Sequence, residues 1–301
     1  MTFPARLPAV WLANAAARLA LASGVGYAAA AYTVSRFLTK PRRRPLRKSP
    51  ADVGLPFEAL DVVTADGIRL SGWLVEPPEP RGTVALFHGM RQTREQMLSR
   101  MALLHAAGYR SVAFDHRAHG QSRGKRVSFG WYEARDVSAI ARLVAERWPE
   151  QPRAAVGISM GAAALTFAGA VCGWRGVVLE GIYAEAALAF RRRIGRYYPA
   201  WFGRLYPGVI WITQRRLKMS PEEVRPVEAV RSLGGVPLLF VTGAEDYLAP
   251  PEDARRVAEA AEANVEFELV PGAAHNDVVE AGGEQYRERL LKFLDRVMAA
   301  G

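Results

Sequence analysis

Residues 154–165 read AAVGISMGAAAL, an apolar run that leads into Gly157, Ser159 and Gly161 and continues as small helix-forming residues. RAAVGI at 153–158 has the length and composition of a strand, so GISMG occupies the sharp turn from strand into helix. Glycines at 157 and 161 let strand and helix approach closely while Ser159 is lifted above the sheet edge in a strained conformation. The helix N-terminus behind it offers free N–H groups and a partial positive charge. Ser159 is therefore a candidate nucleophile, and the alternative is a plain serine in an alanine-rich helix.

Outward from this turn the chain alternates strand-length runs with helical patterns. TVALFH, RSVAFD, RAAVGI, GVVLE, VPLLFV and VEFELV are mostly continuous apolar runs, as parallel strands covered on both faces require. FEALDVVT and IRLSGWLV flank the turn Ala65, Asp66 and Gly67 and predict an opening antiparallel pair. Helical patterns fall near residues 94–107, 131–148, 160–172, 251–263 and 284–300. The expectation is an α/β fold with a mostly parallel sheet, covered by helices on both faces.

Residues 183–230 interrupt this rhythm, because a simple crossover between GVVLE and VPLLFV needs far fewer residues. The interval carries Phe190, Tyr197, Tyr198, Trp201, Phe202, Tyr206 and Trp211, and nine basic residues against four acids. It reads as a helical cap that packs its own aromatics or uses them to line a substrate pocket. In the second case Trp201 and Trp211 are expected to govern which acyl chains fit.

A serine nucleophile needs a base, and the base needs an orienting carboxylate. Asp246 lies just past VPLLFV and His275 just past VEFELV, at the C-terminal strand edge where α/β sheets place their sites. Glu245 is the alternative acid.

Four segments together resemble the α/β-hydrolase family: FHGM at 87–90, FDHRAHGQSRG at 114–124, GISMG at 157–161, and the Asp246 and His275 loops. The resemblance runs from about residue 55 to the end. The N-terminal apolar segment and PEEVRPVEAV further resemble the membrane-associated, Bem46-like serine hydrolases. The resemblance implies an α/β-hydrolase fold in which Ser159 attacks, His275 acts as base and acid, and Asp246 orients it. It also implies an oxyanion hole from the backbone N–H groups of Met90 and Met160, with His88, Gly89, Gly157 and Gly161 supporting the motifs. Three stretches depart from the family pattern: Ala118 stands for a glycine, Glu180 and Gly181 follow the sixth strand, and Met90, Arg91 and Gln92 follow the HG pair.

The expected activity is hydrolysis of an ester or thioester through an acyl-enzyme, on a small or lipid-like acyl substrate and without a cofactor or metal. A peptidase or acyltransferase on the same residues, or a silent hydrolase-fold scaffold, are the alternatives. His88, His116 and His119 are close in sequence, yet no acidic cluster completes a metal set, and they read as loop-holding histidines.

The 301 residues carry a formal net charge of +10, which raises nucleic acid as a partner. Nine of the 40 Lys and Arg residues fall in the first 50 positions with no acid among them, leaving 31 basic against 30 acidic residues elsewhere. A near-neutral body without a basic stripe argues against nucleic acid. The single cysteine, Cys172, excludes an intrachain disulfide and reads as a buried thiol.

Residues 9–35 form a largely apolar stretch of membrane-spanning length, interrupted by Arg18, and KPRRRPLRKSP follows as a basic linker. The expectation is an N-terminal membrane anchor and linker over 1–50, with an amphipathic interfacial helix or a cleaved signal peptide as the alternatives, then a hydrolase domain over 51–301. With Arg6 before the segment and seven cations from Arg36 to Lys48 after it, the catalytic body is expected to face the cytoplasm if the segment spans. A chain starting at residue 51 is expected to be soluble and active.

Overall fold

The structure, a computed structural model, describes residues 9–197 and 199–299. Eight strands form one sheet: β1 (Glu58–Val63), β2 (Arg69–Val75), β3 (Thr83–Phe87), β4 (Arg110–Phe114), β5 (Arg153–Ile158), β6 (Val177–Glu180), β7 (Leu238–Gly243) and β8 (Val265–Val270). Their order is β1-β2-β4-β3-β5-β6-β7-β8. β1 pairs antiparallel with β2, and β2 with β4; every later pairing is parallel. Every strand run predicted from the sequence is a strand in this sheet.

The helices are α1 (Ala9–Thr39), α2 (Leu98–Ala106), α3 (Ala134–Arg147), α4 (Met160–Ala168), α5 (Ala186–Tyr197), α6 (Tyr206–Leu217), α7 (Pro226–Ala229), α8 (Pro251–Ala260) and α9 (Val278–Ala299). α3, α4 and α8 cover one sheet face, where Ile140, Val144, Leu165 and Val257 pack on Ala85, Val112 and Leu179. α2 and α9 cover the other, where Met101, Leu104, Phe293 and Leu294 pack on Val84, Leu86 and Val156. Burial on both faces explains why β3 to β7 read as continuous apolar runs, and each buried Leu, Val or Phe side chain contributes roughly 1.5–3 kcal/mol. This is the α/β-hydrolase architecture.

The described residues of 183–230 hold α5, α6 and α7, with short 3₁₀ turns between them. The side chains of Tyr197, Tyr198 and Trp201 lie outside the described residues. Trp211 is 56% exposed and stacks with Arg215, so it faces solvent, and the pocket-lining alternative does not hold for it.

The N-terminal segment is where the structure departs most from expectation. No helix among the described residues is long and apolar enough to cross a membrane, which corrects the expected span. The physical reason is composition, because α1 consists largely of weakly apolar Ala and Gly, with Asn14 and Arg18 in its first half. Its second half packs on the cap through Ala31, Leu205 and Val209. Thr213 donates to Ser35 at 2.8 Å, Arg216 donates to Thr39 at 2.9 Å, and the Tyr27 hydroxyl donates to the Arg204 carbonyl at 3.0 Å. The basic linker is docked as well. Arg42 forms an isolated β-bridge with His119, and the Arg47 and Lys48 amides donate to Glu95.

Candidate active site

Ser159 sits between β5 and α4 with φ 51 and ψ −108, a left-handed conformation that costs a non-glycine residue about 1–3 kcal/mol. Two backbone bonds hold it there: its N–H donates to the Glu180 carbonyl at 2.8 Å, and its carbonyl accepts from Ala163 at 2.9 Å. A side chain at Gly157 would place Cβ 2.7 Å from the Ala162 nitrogen, and one at Gly161 would run into the Phe87 carbonyl. The two glycines of GISMG are therefore demanded by close backbone approach.

The Ser159 hydroxyl lies 2.9 Å from His275 Nε2, and His275 Nδ1 lies 2.6 Å from Asp246 Oδ2. Because Asp246 accepts from Nδ1–H, Nε2 is left as the acceptor for the serine proton. Asp246 is 2% exposed, and its other oxygen accepts the Leu248 and Ala249 amides, both at 2.9 Å. Glu245 is exposed and contributes only its backbone amide, to Ala273. Residues 116 and 29 positions apart thus join one hydrogen-bonded chain.

Met160 opens α4, so its N–H has no partner within the helix, and Met90 follows Gly89 on the facing loop. Both residues line the same cavity as Ser159 and His275. The facing loop is held by histidines. His116 donates its N–H to His88 Nε2 at 2.9 Å, the Gly89 carbonyl accepts from His88 Nδ1 at 2.8 Å, and Arg91 donates its N–H to His119 Nε2 at 3.2 Å. Burial, with the other two histidines adding to it, pushes the His88 pKa well below the usual value, and burial brings that of His119 to about 4. Neutral rings are what these acceptor roles require. Ala118, which stands for a glycine, adopts φ 62 and accepts the Arg42 amide at 2.7 Å.

The cavity beside Ser159 measures about 350 Å³. Its apolar wall includes Met160, Tyr183, Phe190, Val209, Ile210 and Leu248, so α5 and α6 of the cap form part of it. Leu38 and Arg44 complete it from the N-terminal segment. Those two residues were missed in the sequence, although Ala31, Ser35 and Thr39 are buried at i, i+4 spacing and mark one inward face of α1. That periodicity is visible in the sequence; the partner it faces is not.

A family model described as "Serine aminopeptidase, S33" matches residues 78–231. YqkD of Bacillus subtilis, described as uncharacterized, is 27% identical over 259 residues, 82% of this chain and 83% of that protein. A monoacylglycerol lipase of Mycolicibacterium smegmatis is 35% identical over 85 residues, 28% of this chain and 30% of the lipase. Among solved structures, the Pyrococcus furiosus esterase Pf2001 superposes with a TM-score of 0.73 at 24% identity, over 87% of this chain and 98% of that one.

Proposed function

From the premise that this chain belongs to the α/β-hydrolase family described as serine aminopeptidase S33, we propose that it is a serine hydrolase cleaving a carboxylic ester or thioester through an acyl-enzyme. The observation that carries this reading is the chain from Ser159 Oγ through His275 to Asp246, at 2.9 and 2.6 Å, opening on the cavity. Ser159 Oγ attacks the acyl carbon as His275 Nε2 takes its proton, and Asp246 stabilises the imidazolium. The Met90 and Met160 amides hold the developing oxyanion, each contributing about 3–4 kcal/mol in the transition state. The imidazolium then protonates the leaving alkoxide or thiolate. Water, deprotonated by His275, attacks the acyl-enzyme and releases the carboxylic acid and free Ser159.

The family description raises aminopeptidase activity as a second reading. The described cavity lining includes Arg44, Arg91 and Arg193 and no Asp or Glu. A peptide N-terminus is cationic and finds no carboxylate among the described lining residues to receive it, which favours esters.

The exposed Leu19, Leu21 and Val25 of α1, followed by the cations from Arg36 to Lys48, support attachment to the anionic cytoplasmic face of a membrane as the proposed location. Membrane pelleting of the full chain, resistant to high salt, tests that part.

Labelling by a fluorophosphonate probe and turnover of p-nitrophenyl and acyl-thioester substrates, set against a peptide panel, test the activity. Loss of both signals in Ser159→Ala is expected. Undiminished labelling in that variant would sink the assignment.

A further inference from the structure

We propose that Phe129 is a specificity-determining residue, held at the cavity by the buried carboxylate of Glu133 and the hydroxyl of Tyr183, and that its fixed side chain limits the length of the acyl group. The proposal rests on the hydrolase reading above and adds what selects the substrate.

Phe129 lines the cavity together with Ser159, Met160 and Tyr183, on the loop that leads into α3. Its φ of 59 lies in the left-handed region, where a bulky side chain is an outlier. Such a conformation persists only where the surroundings impose it. Glu133 is fully buried, and both its oxygens accept from the loop: Oε1 takes the Ser128 N–H at 3.0 Å, while Oε2 takes the Ser128 hydroxyl at 2.6 Å and the Gly130 N–H at 2.9 Å. The Tyr183 hydroxyl donates to the Phe129 carbonyl at 2.6 Å. The peptide group between Phe129 and Gly130 is thus held at its N–H and at its carbonyl. Behind it, a side chain at Gly130 would place Cβ 2.9 Å from that of Ala163 on α4, so the loop is seated against the nucleophile's helix.

Neighbouring residues tie the same loop to the rest of the site. Val127 packs with Met160 and Ala118, and its N–H donates to the Thr39 carbonyl at 3.0 Å. The Tyr132 hydroxyl donates to the Leu217 carbonyl at 2.8 Å. One loop therefore joins α4, the end of α1 and cap helix α6 around the cavity. A wall anchored at so many points does not yield to a longer chain, and a volume of about 350 Å³ is at the small end for ligand sites. Glu133 is not among the lining residues, so it is a positioning residue that acts through Phe129. Glutamine cannot replace it, because either orientation of the amide sets its NH₂ group against a backbone N–H.

The test measures kcat and KM of the full-length protein on p-nitrophenyl esters from butanoate to dodecanoate. Phe129→Ala and Phe129→Gly are each expected to raise kcat/KM for dodecanoate relative to hexanoate roughly tenfold, chiefly through KM, the scale of discrimination an apolar pocket gives. Glu133→Gln and Tyr183→Phe are expected to move the ratio in the same direction by a smaller factor, with fluorophosphonate labelling of Ser159 retained. Added to Phe129→Gly, Glu133→Gln is expected to move the ratio no further, because the side chain it positions is gone. Phe129→Gly is also expected to unfold at a higher temperature than Phe129→Ala, the reverse of the usual order, since glycine takes a left-handed conformation without strain. A ratio unmoved in both Phe129 variants, with labelling and circular dichroism intact, would overturn the proposal and leave the hydrolase reading standing. The usual order of stability, with the Ala variant above the Gly variant, would equally overturn it, because Phe129 would then not be held under strain. No turnover of any ester and no labelling of the unaltered protein would remove the hydrolase reading and this proposal with it.

Discussion

Thr213 on cap helix α6 donates a hydrogen bond to Ser35 on the N-terminal helix at 2.8 Å, across 178 residues of sequence, and both side chains are buried. A segment that reads as an appendage is thereby joined to the cap, and its next residues, Leu38 and Arg44, reach the cavity. Removing residues 1–50 strips the α1 face from Leu205 and Val209 and opens one cavity wall. The truncated protein is therefore expected to keep its sheet but, short of the full activity read from the sequence, to lose at least about tenfold in kcat/KM, roughly 1.4 kcal/mol of the binding that the missing cavity wall supplies. Circular dichroism and ester kinetics on the two lengths check this, and equal kinetics would show the segment to be dispensable.

Replacing Ser159 or His275 with Ala, or Asp246 with Asn, is expected to reduce kcat by several orders of magnitude. The losses should not multiply in the double variants, because these groups act as a unit. Unfolding midpoints separate lost chemistry from lost fold.

Phe190 and Ile210 line the cavity, whereas Trp211 faces solvent. Phe190→Ala and Ile210→Ala are expected to shift activity toward longer acyl chains, and Trp211→Ala to leave the profile alone. A p-nitrophenyl ester series of graded length reads this directly.

The buried pair Arg100 and Glu180 joins α2 to the end of β6, and Tyr286 donates to the same carboxylate at 2.7 Å. The Glu180 carbonyl is also what holds the Ser159 amide. Arg100→Met leaves a buried carboxylate without its counter-charge and is expected to cost about 3–5 kcal/mol. Denaturant unfolding measures it, and the double variant with Glu180→Gln is expected to recover part of the loss.

His119 is held neutral, with its pKa lowered from 6.5 to about 4 chiefly by burial. The unfolded chain binds a proton near 6.5 and the folded chain only near 4, so this contribution is complete above about pH 6.5. It is lost as pH falls through that window, by on the order of 3 kcal/mol. His88 shifts in the same direction. Unfolding free energies measured from pH 7.5 to 4.5 should show this slope, and His119→Gln should flatten it.

The strands, their parallel character and the Ser159 turn were legible because they depend on local facts. A strand covered on both faces must be apolar throughout, and a strand-to-helix turn this tight admits only glycine at 157 and 161. Asp246 and His275 were legible because their loops follow strands whose C-terminal ends meet at one sheet edge. What α1 packs on could not be read, because an alanine-rich helix carries almost the same local signal against lipid, solvent or protein. Ser35 and Thr39 become informative only once Thr213 and Arg216 stand opposite them. The gathering of Arg44, Arg91 and Arg193 is likewise a product of tertiary structure. Sequence adds charges along a line, whereas folding sets the distances between them, and Coulomb energy depends on those distances.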